Sequence, residues 1–156
     1  MSGVRPALEC AQGRSNSPAK PELTNDCQGV TVARDRVLSY RDLIVWQRAM
    51  DLTDYAYDLT KSFPRDERLA LTSQVQRAAV SIPSNIAEGH GRRHLGEYLQ
   101  YLSIANGSLM ELETQFVIAS RRQYIDQAAL EHGLNLSGDV GRLLAGLVRA
   151  LKARRP

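Results

Sequence analysis

The chain has 156 residues, with 20 Lys and Arg against 17 Asp and Glu, a net charge of +3 and 43% hydrophobic residues. That length supports a single domain with an ample core, and so small a charge does not by itself demand a nucleic-acid partner. Only Cys10 and Cys27 occur, both near the N-terminus, which excludes a disulfide framework and points to a reducing, cytoplasmic setting.

No apolar run approaches the ~18 residues that a membrane span requires. The opening MSGVRPALEC lacks the long apolar region of a secretory signal. The basic residues are lopsided, 17 Arg against 3 Lys. Arg suits planar recognition of phosphate and carboxylate, but a biased genomic base composition gives the same skew, and both readings stay open.

Residues 1–36 hold Pro6, Pro18, Pro21 and three glycines without periodicity, the pattern of a disordered tail. Residues 37–156 read as the folded domain. Ser39-x-x-Asp42 is a capping-box-like start. Two apolar stripes follow it: Leu43, Trp46, Met50 and Tyr57, then Ala49, Leu52, Ala56 and Leu59. Their alternating three- and four-residue steps predict a helix over about 42–61. Phe63-Pro64 ends it, because the residue before proline avoids helical ψ.

Pro64 sits near the start of the expected second helix, with Asp66 and Glu67 in its favourable first turn. Within 69–88, Leu71, Val75, Ala78, Ala79, Ile82 and Ile86 share one face. Gln74, Arg77, Ser81, Ser84, Asn85 and Glu88 form a polar stripe beside it. The back, with Leu69, Thr72, Ser73, Gln76, Val80, Pro83 and Ala87, carries no charge, unlike the wet side of a solitary bundle helix. The simplest expectation is that another subunit or a ligand covers it. Pro83 should kink the helix without ending it, since Ile86 continues the face of Ile82. Gly89-His90-Gly91 is the expected break.

A third helix over about 94–121 carries the stripe Leu95, Leu99, Leu102, Ala105, Leu109, Leu112, Phe116 and Ala119, with residues 98–110 uncharged. Gly107-Ser108 would let another helix approach closely. A fourth runs from near Asp126 to about Lys152, with a break at 133–138 allowed by Gly133 and Gly138. Four long helices with short connections give an all-α, up-down antiparallel four-helix bundle.

The runs SQVQRAAVSIPSNIAEG (73–89) and IANGSLMELETQ (104–115), with the opening YRDLIVWQRAMDLTDYAYDLTKSFP (40–64), resemble the bacterial 23S rRNA intervening-sequence proteins. The likeness covers roughly 40–152. Members of that family are similar to the accessory variability determinant of diversity-generating retroelements, a pentameric barrel of four-helix bundles that works with a reverse transcriptase and nucleic acid. The resemblance implies a homo-oligomer, a pentamer, that associates with RNA or DNA and has no enzymatic activity. One position departs from it: Asn106 stands where a basic residue is expected.

Arg48, Arg92, Arg93, Arg121 and Arg122 are the candidate nucleic-acid contacts, with Arg142, Arg149, Lys152, Arg154 and Arg155 as further basic groups. Each alone is ordinary solvated surface; repeated around a ring they form a phosphate-binding belt. Gln74, Arg77, Ser81, Asn85, Glu88, Ser108 and Glu111 are the candidate interface or buried polar network. Arg77 and Glu88, about 16 Å apart along one helix, need separate partners, and Glu111 or Glu113 suits Arg77. Ser81, Ser84 and Asn85 are placed to serve backbone groups freed by Pro83.

His90, His94 and His132 make no metal set, since glycines disrupt the pair near Glu88 and no Glu-x-x-His occurs. No nucleophile has a plausible His base, no phosphate loop appears, and no cofactor is implied. The competing reading is a purely structural or protein-interaction ring that binds no nucleic acid.

Overall fold

A computed structural model describes residues 38–153; the expectations for the tail, Cys10, Cys27, Arg154 and Arg155 lie outside them. The described residues form α1 (Ile44–Thr60), α2 (Leu71–His90), α3 (Leu95–Arg121) and α4 (Gln127–Ala153), with no strand among them. Each helix packs on its neighbours around the bundle, α1 on α2, α2 on α3, α3 on α4, and α4 on α1. Short connections make successive helices antiparallel. The α2–α3 connection therefore shares one end with the start of α1 and the end of α4.

The capping box at Ser39 and Asp42 is present, but it caps a 3-10 turn, Tyr40–Asp42. Leu43 is extended, and α1 begins only at Ile44. The second helix also starts later than the sequence suggests. Pro64 is extended, Arg65–Leu69 form another 3-10 turn, and Ala70 at φ −104°, ψ −110° breaks it from α2. Glu67 still serves the helix start, because its carboxylate accepts the Leu71 N–H at 3.2 Å. At its other end α2 runs through Gly89 to His90.

The core is the predicted one: Leu52, Val75, Ile82, Ile86, Leu102, Leu109, Leu112, Phe116 and Val140 are all fully buried. Each contributes about 1.5–3 kcal/mol. α4 shows no break near Gly133. A Cβ there would lie 2.9 Å from the Phe116 ring and 3.1 Å from Tyr55, so the glycine lets α4 press against α1 and α3. Gly89 does the same for α2 and α3, where a Cβ would meet Tyr98 at 2.7 Å.

Pro83 remains inside α2. Its missing N–H would leave the Ala79 carbonyl without its helical donor. Thr53 of α1, a buried residue absent from both predicted stripes, supplies the replacement: its hydroxyl lies 3.0 Å from that oxygen and 2.8 Å from the Ala49 carbonyl. The sequence assigned this service to Ser81, Ser84 and Asn85. Ser84 instead reaches the Val80 carbonyl and Asn85 the Ser81 carbonyl, while the Ser81 hydroxyl meets Ser108 of α3.

Candidate functional site

The five candidate arginines divide between the two ends of the bundle. Arg92 and Arg93 lie in the α2–α3 connection, and Arg48 is one turn into α1, in the same half. Arg121 and Arg122 close α3, 27 residues long, and so stand about 40 Å away. The structure does not bring the two groups together within one chain.

Their freedom also differs. Arg48 pairs with Asp51 at 3.1 Å, an exposed contact of little energetic weight. The Arg92 guanidinium lies over the Tyr101 ring, 4.6 Å from its centre, hydrogen-bonds the Tyr101 hydroxyl, and approaches Glu88 at 3.9 Å. Arg122 reaches the Tyr124 hydroxyl at 3.4 Å. Arg93, Arg121, Arg149 and Lys152 form no ion pair among the described residues. Arg93, Arg149 and Lys152 are at or near the α2–α3 end, with Arg92 held beside them. Asn106 lines an apolar groove between α3 and α4, where Lys152 supplies a cation from the neighbouring helix.

Of the predicted polar network, the structure joins Ser81, Ser108 and Asn85. The two hydroxyls are 2.8 Å apart across the α2–α3 seam, and Asn85 Nδ2 donates to Ser81 Oγ at 3.0 Å. Glu111 is engaged elsewhere, accepting from Gln115 at 3.0 Å. Gln74 and Arg77 are exposed, and Arg77 pairs with neither Glu111 nor Glu113. Burial pushes the Glu113 carboxyl above the ordinary carboxylate range.

The uncharged back of α2 is partly covered by the chain itself. Pro83 is buried, and Thr72, Ser73, Gln76 and Ala87 are half-buried beside α1. What stays open is Leu69, 96% exposed, and a groove of about 280 Å³ where Tyr40, Trp46 and Met50 of the α1 side face Val80, Pro83 and Ala87. The broader apolar exposure lies on α3. Ile104, Met110 and Ile118 are 46, 46 and 42% exposed, and the exposed positions between them include Ser103, Gly107 and Thr114. At 100° per residue these fall on one arc, interrupted by a single charge, Glu111. Nothing lies within 4 Å of a Cβ built on Gly107.

In the α1–α2 connection the sequence shows a helix start and no site. There Tyr124, just beyond α3, donates its hydroxyl to Glu67 at 2.8 Å. That bond, the Leu71 N–H and the Arg122 charge hold the Glu67 carboxyl below its ordinary range, against a smaller opposing effect of burial. Arg65 and Arg68 beside it carried a legible signal, a three-residue spacing, but only for a reader expecting a 3-10 turn.

Among the described residues no group of three or more His, Cys, Asp or Glu is placed to hold a metal, and no helix is long and apolar enough to cross a membrane. Comparison with curated proteins gives no match. Among solved structures, the chain is similar to a protein of unknown function from the S23 ribosomal protein family of Bacteroides thetaiotaomicron. The identity is 20% and the TM-score 0.61, covering 67% of this chain and 98% of that one, a likeness of fold alone. The family model of the 23S rRNA-intervening sequence proteins matches residues 41–146, and the chain belongs to that family.

Proposed function

We propose that the protein is a non-enzymatic, self-assembling helical scaffold, a pentamer by its family resemblance, acting in the cytoplasm. Its arginine-bearing end would contact nucleic acid, or a nucleic-acid enzyme such as a reverse transcriptase. The observation that supports assembly is the exposed, nearly uncharged arc of α3, with Ile104, Met110 and Ile118 in water and Gly107 open between them. Exposed apolar side chains that recur on one nearly uncharged arc favour an interaction face, and a bare glycine lets a second helix approach closely. The groove beside Val80, between α1 and α2, and the Ser81–Ser108–Asn85 seam, between α2 and α3, are the proposed edges of the interface.

The nucleic-acid contact is supported by Arg93, Arg149 and Lys152, unpaired among the described residues and gathered toward one end with Arg92. Repeated around a ring, these charges form a belt. Arg48 adds to it, whereas Arg121 and Arg122 at the other pole would make a separate, weaker contact.

Light scattering tests assembly: a solution mass equal to one chain overturns it. Filter binding of RNA and DNA across a salt series tests the second part, since phosphate contacts release counterions and weaken steeply with salt. Arg92→Gln with Arg93→Gln should weaken binding and leave the mass unchanged. Salt-independent binding, or none, leaves the structural ring in its place.

A further inference from the structure

The 3-10 turn between α1 and α2 displays two cations that the described chain leaves uncompensated. With about three residues per turn, Arg65 and Arg68 eclipse each other on one face. Neither forms an ion pair among the described residues. Glu67, between them in sequence, is drawn off by Tyr124 and the Leu71 N–H. Asp66 lines an adjoining hollow together with both arginines, Leu69 and Thr72, but pairs with neither arginine.

The two guanidinium-bearing side chains line a pocket of about 340 Å³ together with Lys61, Tyr57 and Thr72. Lys61 already holds Asp58 at 2.6 Å, so the uncompensated charge belongs to the arginines. Thr72 contributes a hydroxyl that is shut off from solvent and has no hydrogen-bond partner. It is also the second residue of α2, so the positive end of that helix opens on the pocket. Tyr57 leaves 43% of its surface exposed and forms an aromatic wall.

We infer that this pocket binds a phosphate group, with Arg65 and Arg68 as forked donors at the positive end of α2. Two uncompensated guanidiniums match the charge of a phosphomonoester dianion and its three acceptor oxygens. The pocket falls in the size range of small-molecule sites, and the Tyr57 ring offers a face for the base of a nucleotide. The phosphate comes from a free mononucleotide or from the phosphorylated end of a strand. Tyr124 is a positioning residue: by occupying Glu67 it keeps that carboxylate from the arginines. The site stands at the opposite end from Arg92 and Arg93, and does not rest on the assembly reading.

The test is calorimetric titration of the full chain with adenosine monophosphate, inorganic phosphate and adenosine. The nucleotide and phosphate should bind saturably and adenosine should not. Arg65→Gln with Arg68→Gln should weaken the nucleotide by about tenfold or more. Oligonucleotides with a 5′-phosphate or a 5′-hydroxyl separate the sources. A 5′-phosphorylated strand that binds far more tightly than its 5′-hydroxyl counterpart identifies a strand end, and equal binding of the two strands identifies the free nucleotide. The inference is overturned if neither phosphate, nucleotide nor phosphorylated strand saturates the protein at millimolar concentration. It is equally overturned if the Arg65/Arg68 substitutions change nothing.

Discussion

The Thr53 hydroxyl of α1 lies 3.0 Å from the Ala79 carbonyl of α2, the oxygen that Pro83 deprives of its helical donor. Thr53→Val leaves that buried acceptor unsatisfied and should cost about 1–3 kcal/mol in denaturant unfolding. Thr53→Ser keeps the hydroxyl and should cost less. In a double-mutant cycle Pro83→Ala, which restores the N–H, should make Thr53→Val milder. Strict additivity would show that the bond carries no weight.

The glycines of α4 separate packing from propensity. Gly133→Ala places a methyl 2.9 Å from the Phe116 ring and should destabilise by about 1–3 kcal/mol. Gly146→Ala meets nothing within 4 Å and should stabilise by about 0.5–1 kcal/mol, because alanine is the better helix former. Thermal unfolding of the pair should move the midpoint in opposite directions.

Glu67 and Glu113 give opposite pH signatures. The Glu67 carboxyl is held low, chiefly by Tyr124, so its stabilisation is present above the ordinary carboxylate range and is lost as pH falls through the lowered range. Tyr124→Phe should therefore destabilise at neutral pH, with a deficit that closes in acid. Burial raises Glu113, so its charge opposes folding once pH exceeds the ordinary range. Glu113→Gln should stabilise at neutral pH and lose that advantage in acid. Melting curves at neutral and acidic pH read both signs.

On α3, Gly107→Ala and Ile104→Glu distinguish a free face from an assembled one. In an isolated chain Gly107→Ala should raise the melting temperature and Ile104→Glu should be nearly silent. In an assembly that uses this face, both should lower the solution mass while circular dichroism stays the same.

Helix number, faces and core were legible because apolar spacing reports directly on which side of a helix avoids water. Val75, Ile82 and Ile86 needed nothing beyond a period of 3.6. The misses involve groups whose partners are distant in sequence. Thr53 looks like a polar interruption of α1 until Ala79 is beside it, 26 positions away. Arg77 lacks the acidic partner that spacing suggested, because Glu111 turns along its own helix to Gln115. The α1–α2 connection was read as helix since Asp66 and Glu67 suit a first turn. Only the Ala70 backbone reveals that the turn closes before α2 begins.

The up-down path has a practical corollary. The described chain enters before Tyr40, which faces Ala87 across a groove, and leaves at Ala153, beyond Lys152, which lines the same hollow as Leu99. A bead or fluorophore attached at Leu38 or Ala153 thus crowds the pole that bears Arg93 and leaves the Arg65 pole facing bulk solvent. Surface-tethered assays will report faithfully on the second pole and will sterically mute the first.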